Sequence, residues 1–158
     1  MGILDLFRFT PPGHKKYGLF LSNYLKEEEH ILKCFVEINA SGSVDGLKLN
    51  YDLFAKHFRA IQIQMLITSM LMQVKIGEHD VFYNTTIEEV KKFDKDIWDL
   101  FTIKYNDAYL LHGGVRGMVE ELNKKPFKHK LNENIKTNLT RGFDLIQVQF
   151  HEVIKNFI

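Results

Sequence analysis

The chain has 158 residues, of which 45% are apolar and 26% are charged. This size and composition suit one folded domain and exclude a disordered chain, which would combine low hydrophobicity with high net charge. The net charge of +1 gives no overall field that would draw the molecule to nucleic acid or an anionic membrane. The single cysteine, Cys34, excludes an internal disulfide and is typical of a reducing compartment. We therefore expect one soluble domain, residues 1–158, located in the cytoplasm.

Residues 1–10 are expected to form a separate N-terminal arm. Pro11-Pro12-Gly13 cannot continue a helix, because proline lacks the backbone N–H and restricts the residue before it. The stretch from Gly2 to Phe9 is amphipathic, so we expect it to dock on the rest of the domain. The beginning of the chain also lacks the basic leader and the cleavage site of a secretory signal.

Apolar residues three and four positions apart predict a first long helix from about Lys15 to Ile38. The loop that follows, Asn39 to Gly46, is rich in residues that favour turns. Apolar and polar residues alternate from Leu47 to Tyr51, which leaves a small β-hairpin near residues 35–51 as an alternative. We favour helix on both sides of the loop.

A second helix is predicted from about Asn50 to Ile76. Its apolar residues cover nearly the whole circumference, which is typical of a helix in the middle of a bundle. Four glutamine and lysine side chains interrupt its most apolar stretch, so we expect no membrane span. Gly77 follows in the position of a left-handed cap residue.

The third long helix is predicted to begin at Thr85-Thr86, where two overlapping capping boxes pair these threonines with glutamates three residues later. Its apolar stripe, which is Val90, Phe93, Ile97, Phe101, Tyr105 and Ala108, runs to about Leu111.

Two further helices complete the chain, a short one from Val115 to Leu122 and a long one from about Asn132 to Phe157. The long one has the most regular apolar stripe, with a residue at every third or fourth position. There is no repeat of fixed length, so a solenoid is not indicated. The sequence therefore predicts an all-α, single-domain bundle of about four long helices and one short helix.

The corner before the short helix is the first candidate site. Glycines that precede a helix can present backbone N–H groups to an anion, and here Arg116 and His112 add positive charge beside Gly113 and Gly114. The alternative, which we favour, is a tight turn that needs two positive φ values.

A second candidate is the lysine-rich loop formed by Lys124, Lys125, Lys128 and Lys130. Such a loop can contact phosphates or an acidic protein surface, and it also resembles an ordinary solvated connector. Because the net charge is near zero and no nucleic-acid-binding motif is present, we do not expect a nucleic-acid partner.

Cofactor sites are poorly supported. Seven histidines raise the hypothesis of a metal site, but only Glu27 and His30 have the spacing of a di-iron motif, and they lie in a charged run. Cys34 lies among apolar residues, where a thiol is unreactive. No catalytic residue, metal ligand or cofactor is therefore predicted.

The leading functional hypothesis is a non-enzymatic helical module that binds another protein, such as a small regulator, an adaptor or a toxin-neutralising protein. An enzyme needs polar residues that converge, whereas here they lie largely outside the apolar stripes. A second copy of the chain remains open as a partner. The alternative is a helical bundle that binds a ligand or metal between its helices, with enzymatic activity included, through histidines scattered along the sequence.

Overall fold

Helices make up the secondary structure of residues 14–40, 51–124 and 131–157, which are the residues that the computed structural model describes. In chain order they are α1 (His14–Lys26), α2 (Glu29–Ala40), α3 (Tyr51–Gln73), α4 (His79–Phe93), α5 (Lys95–Leu100), α6 (Asn106–Leu111), α7 (Val115–Lys124) and α8 (Glu133–Phe157). A 3₁₀ turn at Ile76–Glu78 precedes α4, and a π turn at Phe101–Tyr105 joins α5 to α6. These ranges contain no strand, which confirms the all-α prediction.

The hairpin alternative is not observed where it can be checked. Residues 35–40 lie in α2, and Tyr51 is the first residue of α3. Residues 41–50, as well as the predicted arm at residues 1–10, lie outside the described residues.

α3 is the central helix, as its sequence predicts, and α2, α5, the π turn and α8 all pack against it. Nearly every side chain from Phe54 to Met70 is buried, including those of the polar residues His57, Arg59, Gln62, Gln64 and Ser69. Buried apolar side chains of the surrounding helices complete one core cluster around it.

The single helix predicted over residues 15–38 is wrong, because the chain forms two helices there. The Glu27 carboxylate accepts a hydrogen bond of 2.6 Å from the Glu29 backbone N–H and so caps the start of α2. Glu28 forms an ion pair of 3.1 Å with Arg59, which ties the junction to α3. The local cap and this tertiary contact explain the break, and the sequence signals it only by the absence of apolar residues between Leu25 and Ile31.

The expected left-handed cap at Gly77 is also wrong. α3 already ends at Gln73, and Gly77 lies in the 3₁₀ turn. Positive φ values among the described glycines occur at Gly113 and Gly114. The end of α3 is capped instead by the His79 imidazole, whose Nε2 donates to the Val74 carbonyl at 2.8 Å.

The start predicted at Thr85-Thr86 is wrong, because α4 begins six residues earlier, at His79. Both threonines are buried inside the helix, and their hydroxyls donate to the carbonyls of Val81 and Phe82 at 2.7 and 2.9 Å. A threonine hydroxyl that bonds to the carbonyl four residues back fits a helix interior. The capping-box pattern therefore occurs here without forming caps.

The helix predicted up to Leu111 is interrupted at Asp94, whose backbone is extended. Its carboxylate accepts a hydrogen bond of 2.9 Å from the Asp96 N–H, which starts α5. The stripe residues Val90, Ile97, Phe101, Tyr105 and Ala108 are buried as predicted. Phe93 is partly exposed, and the Arg59 guanidinium lies 5.2 Å from its ring centroid.

α7 and α8 confirm the two helices predicted at the end of the chain, within two residues at each boundary. The stripe of α8 is buried at Leu131, Ile135, Leu139 and Phe143, and half-buried at Ile146. The side chains of Phe150, Ile154 and Phe157 lie outside the described part. In the described ranges, each helix is too short or too polar to cross a membrane.

Candidate functional site

The glycine corner connects α6 to α7. Gly113 and Gly114 have φ values of 99° and 67°, which confirms the expected pair of positive φ values. The Gly114 N–H donates to the Tyr109 carbonyl at 2.9 Å, so this donor is used to close the turn. His112 is exposed at the end of α6.

Arg116 faces carboxylates at this corner. Its Nη2 lies 2.7 Å from Oε2 of Glu133 and 3.4 Å from Oε1 of Glu120. Lys136 also contacts both glutamates, at 3.2 and 3.1 Å. Hydrogen bonds from Arg116 and Lys136 hold the pKa of Glu133 below its ordinary value. In this structure the arginine fastens α7 to the start of α8, and anion binding at the corner stays a prediction.

The lysine-rich loop is described at its first residue alone. Lys124 forms an ion pair of 2.7 Å with Glu121, one turn earlier in α7. Lys125, Lys128 and Lys130 lie outside the described residues. The hypothesis that this loop contacts a partner therefore stays a prediction.

The histidines His79, His112 and His151 lie in different parts of the structure and contact different residues. His79 caps α3, His151 lies 3.4 Å from the Gln73 amide, and His112 is exposed at the corner. Across residues 14–40, 51–124 and 131–157, no group of three or more histidine, cysteine, aspartate or glutamate side chains could hold a metal ion.

His57 and Tyr105 form a polar pair inside the core. The Tyr105 hydroxyl lies 2.6 Å from Nδ1 of His57, and both residues are buried. Burial raises the pKa of Tyr105 well above its ordinary value, so the hydroxyl keeps its proton, and it is hydrogen-bonded to the imidazole. Tyr105 belongs to the π turn, and π turns are frequent at functional sites. Since neither side chain is open to solvent, we assign the pair a structural role.

An apolar groove between α2 and α8 has the geometry of a binding site. Its volume is about 410 Å³. Phe58 of α3 contributes to its floor, and the ring centroid of Phe143 lies 5.0 Å from that of Phe58. The other apolar residues that line it belong to α8 and are Ile135, Leu139, Leu145 and Ile146.

Polar side chains line the groove from both helices. They are His30, Lys33 and Glu37 of α2, and Asn138 and Gln149 of α8. Within the described part of the chain these five side chains form no hydrogen bond or ion pair. Their donors and acceptors are therefore not used by the described residues, and an apolar floor with a few polar groups is typical of binding sites.

Cys34 also lines the groove but is not poised for catalysis. Burial, and to a smaller extent the Glu37 carboxylate, raises the pKa of the thiol to about 12. Because the thiolate is the nucleophile, the thiol is unreactive near neutral pH. This agrees with the expectation from the sequence.

Two features of α8 leave the groove open. Leu145, which lines the groove, is 64% exposed. Gly142 lies inside this 25-residue helix, and a Cβ added there would meet no described heavy atom within 4 Å. A glycine costs a helix about 1 kcal/mol relative to alanine, and internal packing does not require one at this position. A glycine allows close approach of another backbone.

Sequence reasoning missed this groove. The predicted stripe of α8 is buried from Leu131 to Phe143, but Ile135, Leu139 and Phe143 line the groove as well. The wall on α2 is separated from α8 by about 100 residues of sequence, so no local pattern connects the two. Gly142, a glycine inside the long helix next to the stripe residue Phe143, was a local signal.

Comparison of the chain with protein-family models, with curated proteins and with solved structures found no match.

Proposed function

We propose that the protein is a non-enzymatic interaction module that binds a helical segment of a partner protein in the groove between α2 and α8. One observation carries this proposal: an apolar floor is bordered by five polar side chains that have no partner among the described residues. An amphipathic helix places apolar anchors into such a groove and keeps its polar face at the border.

The shape of the groove supports a helix as the bound element. The wall on α8 extends from Ile135 to Gln149, a distance of about 21 Å at 1.5 Å per residue. This length accommodates roughly four turns of a second helix. Gly142 lies near the middle of that wall, where a partner backbone could approach most closely.

Charge also favours a specific partner over a generic apolar one. Lys33 and Glu37 lie one helical turn apart on the α2 wall. A partner helix with an acidic and a basic residue one turn apart would match both. Charges at the border of an interface chiefly affect specificity and association rate. As part of the same proposal we assign the protein to the cytoplasm, which the free thiol of Cys34 supports.

A matched pair of variants tests this function. Leu145 and Val148 are both exposed aliphatic residues of α8, at 64% and 59%, but Leu145 lines the groove and Val148 does not belong to its lining. The tagged full chain, Leu145→Glu and Val148→Glu would be used to capture proteins from the native cell, with quantitative mass spectrometry. We expect one protein to be captured by the wild type and by Val148→Glu. The amount of this protein captured by Leu145→Glu should be lower by about tenfold or more.

The same comparison is then repeated by titration with that purified protein. Equal affinity for Leu145→Glu and Val148→Glu would place the contact on another surface and refute the proposal. Far-UV circular dichroism of both variants establishes that each remains folded.

A second candidate function is supported by the size of the groove. Its volume of about 410 Å³ falls within the range of roughly 300–1,000 Å³ that is typical of small-molecule sites. In that case the chain would be a ligand-binding bundle. Native mass spectrometry of protein purified under gentle conditions would then reveal a bound small molecule, absent from Leu145→Glu and retained by Val148→Glu.

A further inference from the structure

The groove has a candidate occupant within the chain itself. Residues 2–9 include the large apolar side chains of Ile3, Leu4, Leu6, Phe7 and Phe9. We propose that this segment binds in the groove of its own molecule and competes there with the partner helix. The competition with a partner helix rests on the function proposed above. The binding of the segment in the groove does not.

Two contacts on the segment from Gln73 to Glu78 relate α1 to the end of α8 that lies beyond the groove. The Tyr17 hydroxyl donates to Oε2 of Glu78 at 3.0 Å, which places the beginning of α1 beside the turn after α3. Gln73, at the end of α3, lies 3.4 Å from the His151 imidazole. His151 is two residues beyond Gln149, which lines the groove.

The segment is long enough to cover the wall on α8. The four residues Thr10 to Gly13 span at most about 13 Å, and residues 2–13 span at most about 40 Å. The wall on α8 is about 21 Å long. Residues 2–9 can therefore extend along the whole wall, and disulfide trapping tests whether Thr10 to Gly13 connect them to His14.

The chemistry of the segment matches that of the groove. Its apolar side chains suit a floor made of Phe58 and the apolar residues of α8. It also carries one acid and one base three residues apart, Asp5 and Arg8. These can face Lys33 and Glu37, which have no ion-pair partner among the described residues.

Because the segment is covalently joined to the domain, even a weak affinity is sufficient for it to occupy the groove. A binding segment joined by a short linker has an effective concentration on the order of 1 mM. If the free segment bound with a Kd of about 0.1 mM, the tethered one would fill about nine-tenths of the grooves. A partner helix would then have to displace it, so its apparent affinity would fall by about tenfold.

Disulfide trapping in the full chain tests the occupancy at Leu145, which lines the groove and is 64% exposed, with Leu145→Cys introduced and the buried, unreactive native thiol removed by Cys34→Ser. Ile3→Cys, Leu6→Cys and Phe7→Cys, as well as the control Ile103→Cys, would each be combined with these two changes and oxidised with diamide at about 1 µM protein. We expect at least one to form an intramolecular disulfide ten times faster than the control Ile103→Cys. Ile103 is 79% exposed and lies in the π turn, which packs against α3, α5, α6 and α7.

Two outcomes would overturn this inference. One is trapping no faster than in the control at any of the three positions while circular dichroism shows folded protein. The other is trapping that yields disulfide-linked dimers at a rate proportional to protein concentration, which would assign the segment to a second copy. Neither outcome would affect capture of a partner by the wild type and Val148→Glu, so the two proposals fail independently.

The competition has its own readout. The double variant Leu6→Asp/Phe7→Asp in the full chain should bind the captured partner about tenfold more tightly than the wild type. Asp5→Asn, a conservative change in the same segment, should shift that affinity by less than about threefold. Unchanged affinity in the double variant would refute competition even where trapping succeeds.

Discussion

Substituting Gly117 with alanine should destabilise the protein, although alanine normally favours a helix. Gly117 lies in α7 and is buried against the end of α6. A Cβ at this position would collide with the Ala108 carbonyl oxygen and would lie 2.6 Å from that of His112. Both oxygens belong to backbone, so neither can move without shifting α6 or α7.

The expected magnitude follows from two opposing effects. The favourable contact distance between nonbonded carbon and oxygen atoms is about 3.5 Å, so α7 must move away from α6 by about 1 Å. Overpacking of this kind costs about 1–3 kcal/mol and occasionally more. The gain in helix propensity is at most about 1 kcal/mol. We therefore expect Gly117→Ala to reduce the free energy of unfolding by roughly 1–3 kcal/mol.

Gly142→Ala is the matched control, since an added Cβ there would meet no described atom within 4 Å. It should increase the free energy of unfolding by about 0.5–1 kcal/mol. Urea unfolding followed by circular dichroism at 222 nm should separate the two midpoints by about 1–2 M, for an m value near 2 kcal/mol/M. If Gly117→Ala is as stable as Gly142→Ala, the close packing of α7 on α6 is refuted.

Three further predictions concern the core and the ion pairs. Tyr105→Phe removes the hydroxyl that bonds to His57 and should lower the free energy of unfolding by about 1–3 kcal/mol, measured by urea denaturation. Phe143→Ala, which empties a buried position beside Phe58, should lower it by about 3–5 kcal/mol in the same assay. Arg116 and Lys136 depress the pKa of Glu133. The contribution of Glu133 to stability is therefore fully present above the ordinary carboxyl pKa, and it is lost as the pH falls through the lower pKa of the folded state. Glu133→Gln should therefore lower the thermal midpoint at pH 7 but leave it unchanged near pH 2.

Periodicity was sufficient to predict the helices whose apolar faces determine their packing. The nearly uniform apolar surface of α3 correctly indicated the centre of the bundle. The regular stripe of α8 indicated the range of that helix and, from Leu131 to Phe143, its buried face. The glycine corner was also predictable, since two adjacent positive φ values favour glycine.

Helix boundaries set by side-chain contacts were not predictable in this way. The break between α1 and α2 depends on Glu27 as a cap and on the ion pair of Glu28 with Arg59, which lies 31 residues away. The capping boxes at Thr85-Thr86 were misleading, because burial of Phe82 and the core contacts of α4 extend the helix past them. Tertiary packing overrides a local signal that is worth about 1 kcal/mol.

The candidate site was not predictable because a groove is a relation between distant elements. His30 and Lys33 alone suggest a solvated face, and Ile135 and Leu139 alone suggest a core stripe. These residues are recognised as one candidate site only in the folded structure, where α2 and α8 border the same groove and Phe58 lines it as well.

The most direct test of the proposed function is to map the partner contact by NMR, residue by residue. The ¹⁵N-labelled full chain, at 18.6 kDa, would be titrated with the partner captured by the wild type and by Val148→Glu. The groove proposal predicts that the largest amide shift changes fall between His30 and Glu37 and between Asn138 and Gln149. Changes concentrated instead in α5 to α7, or at the corner of Gly113 and Gly114, would contradict it.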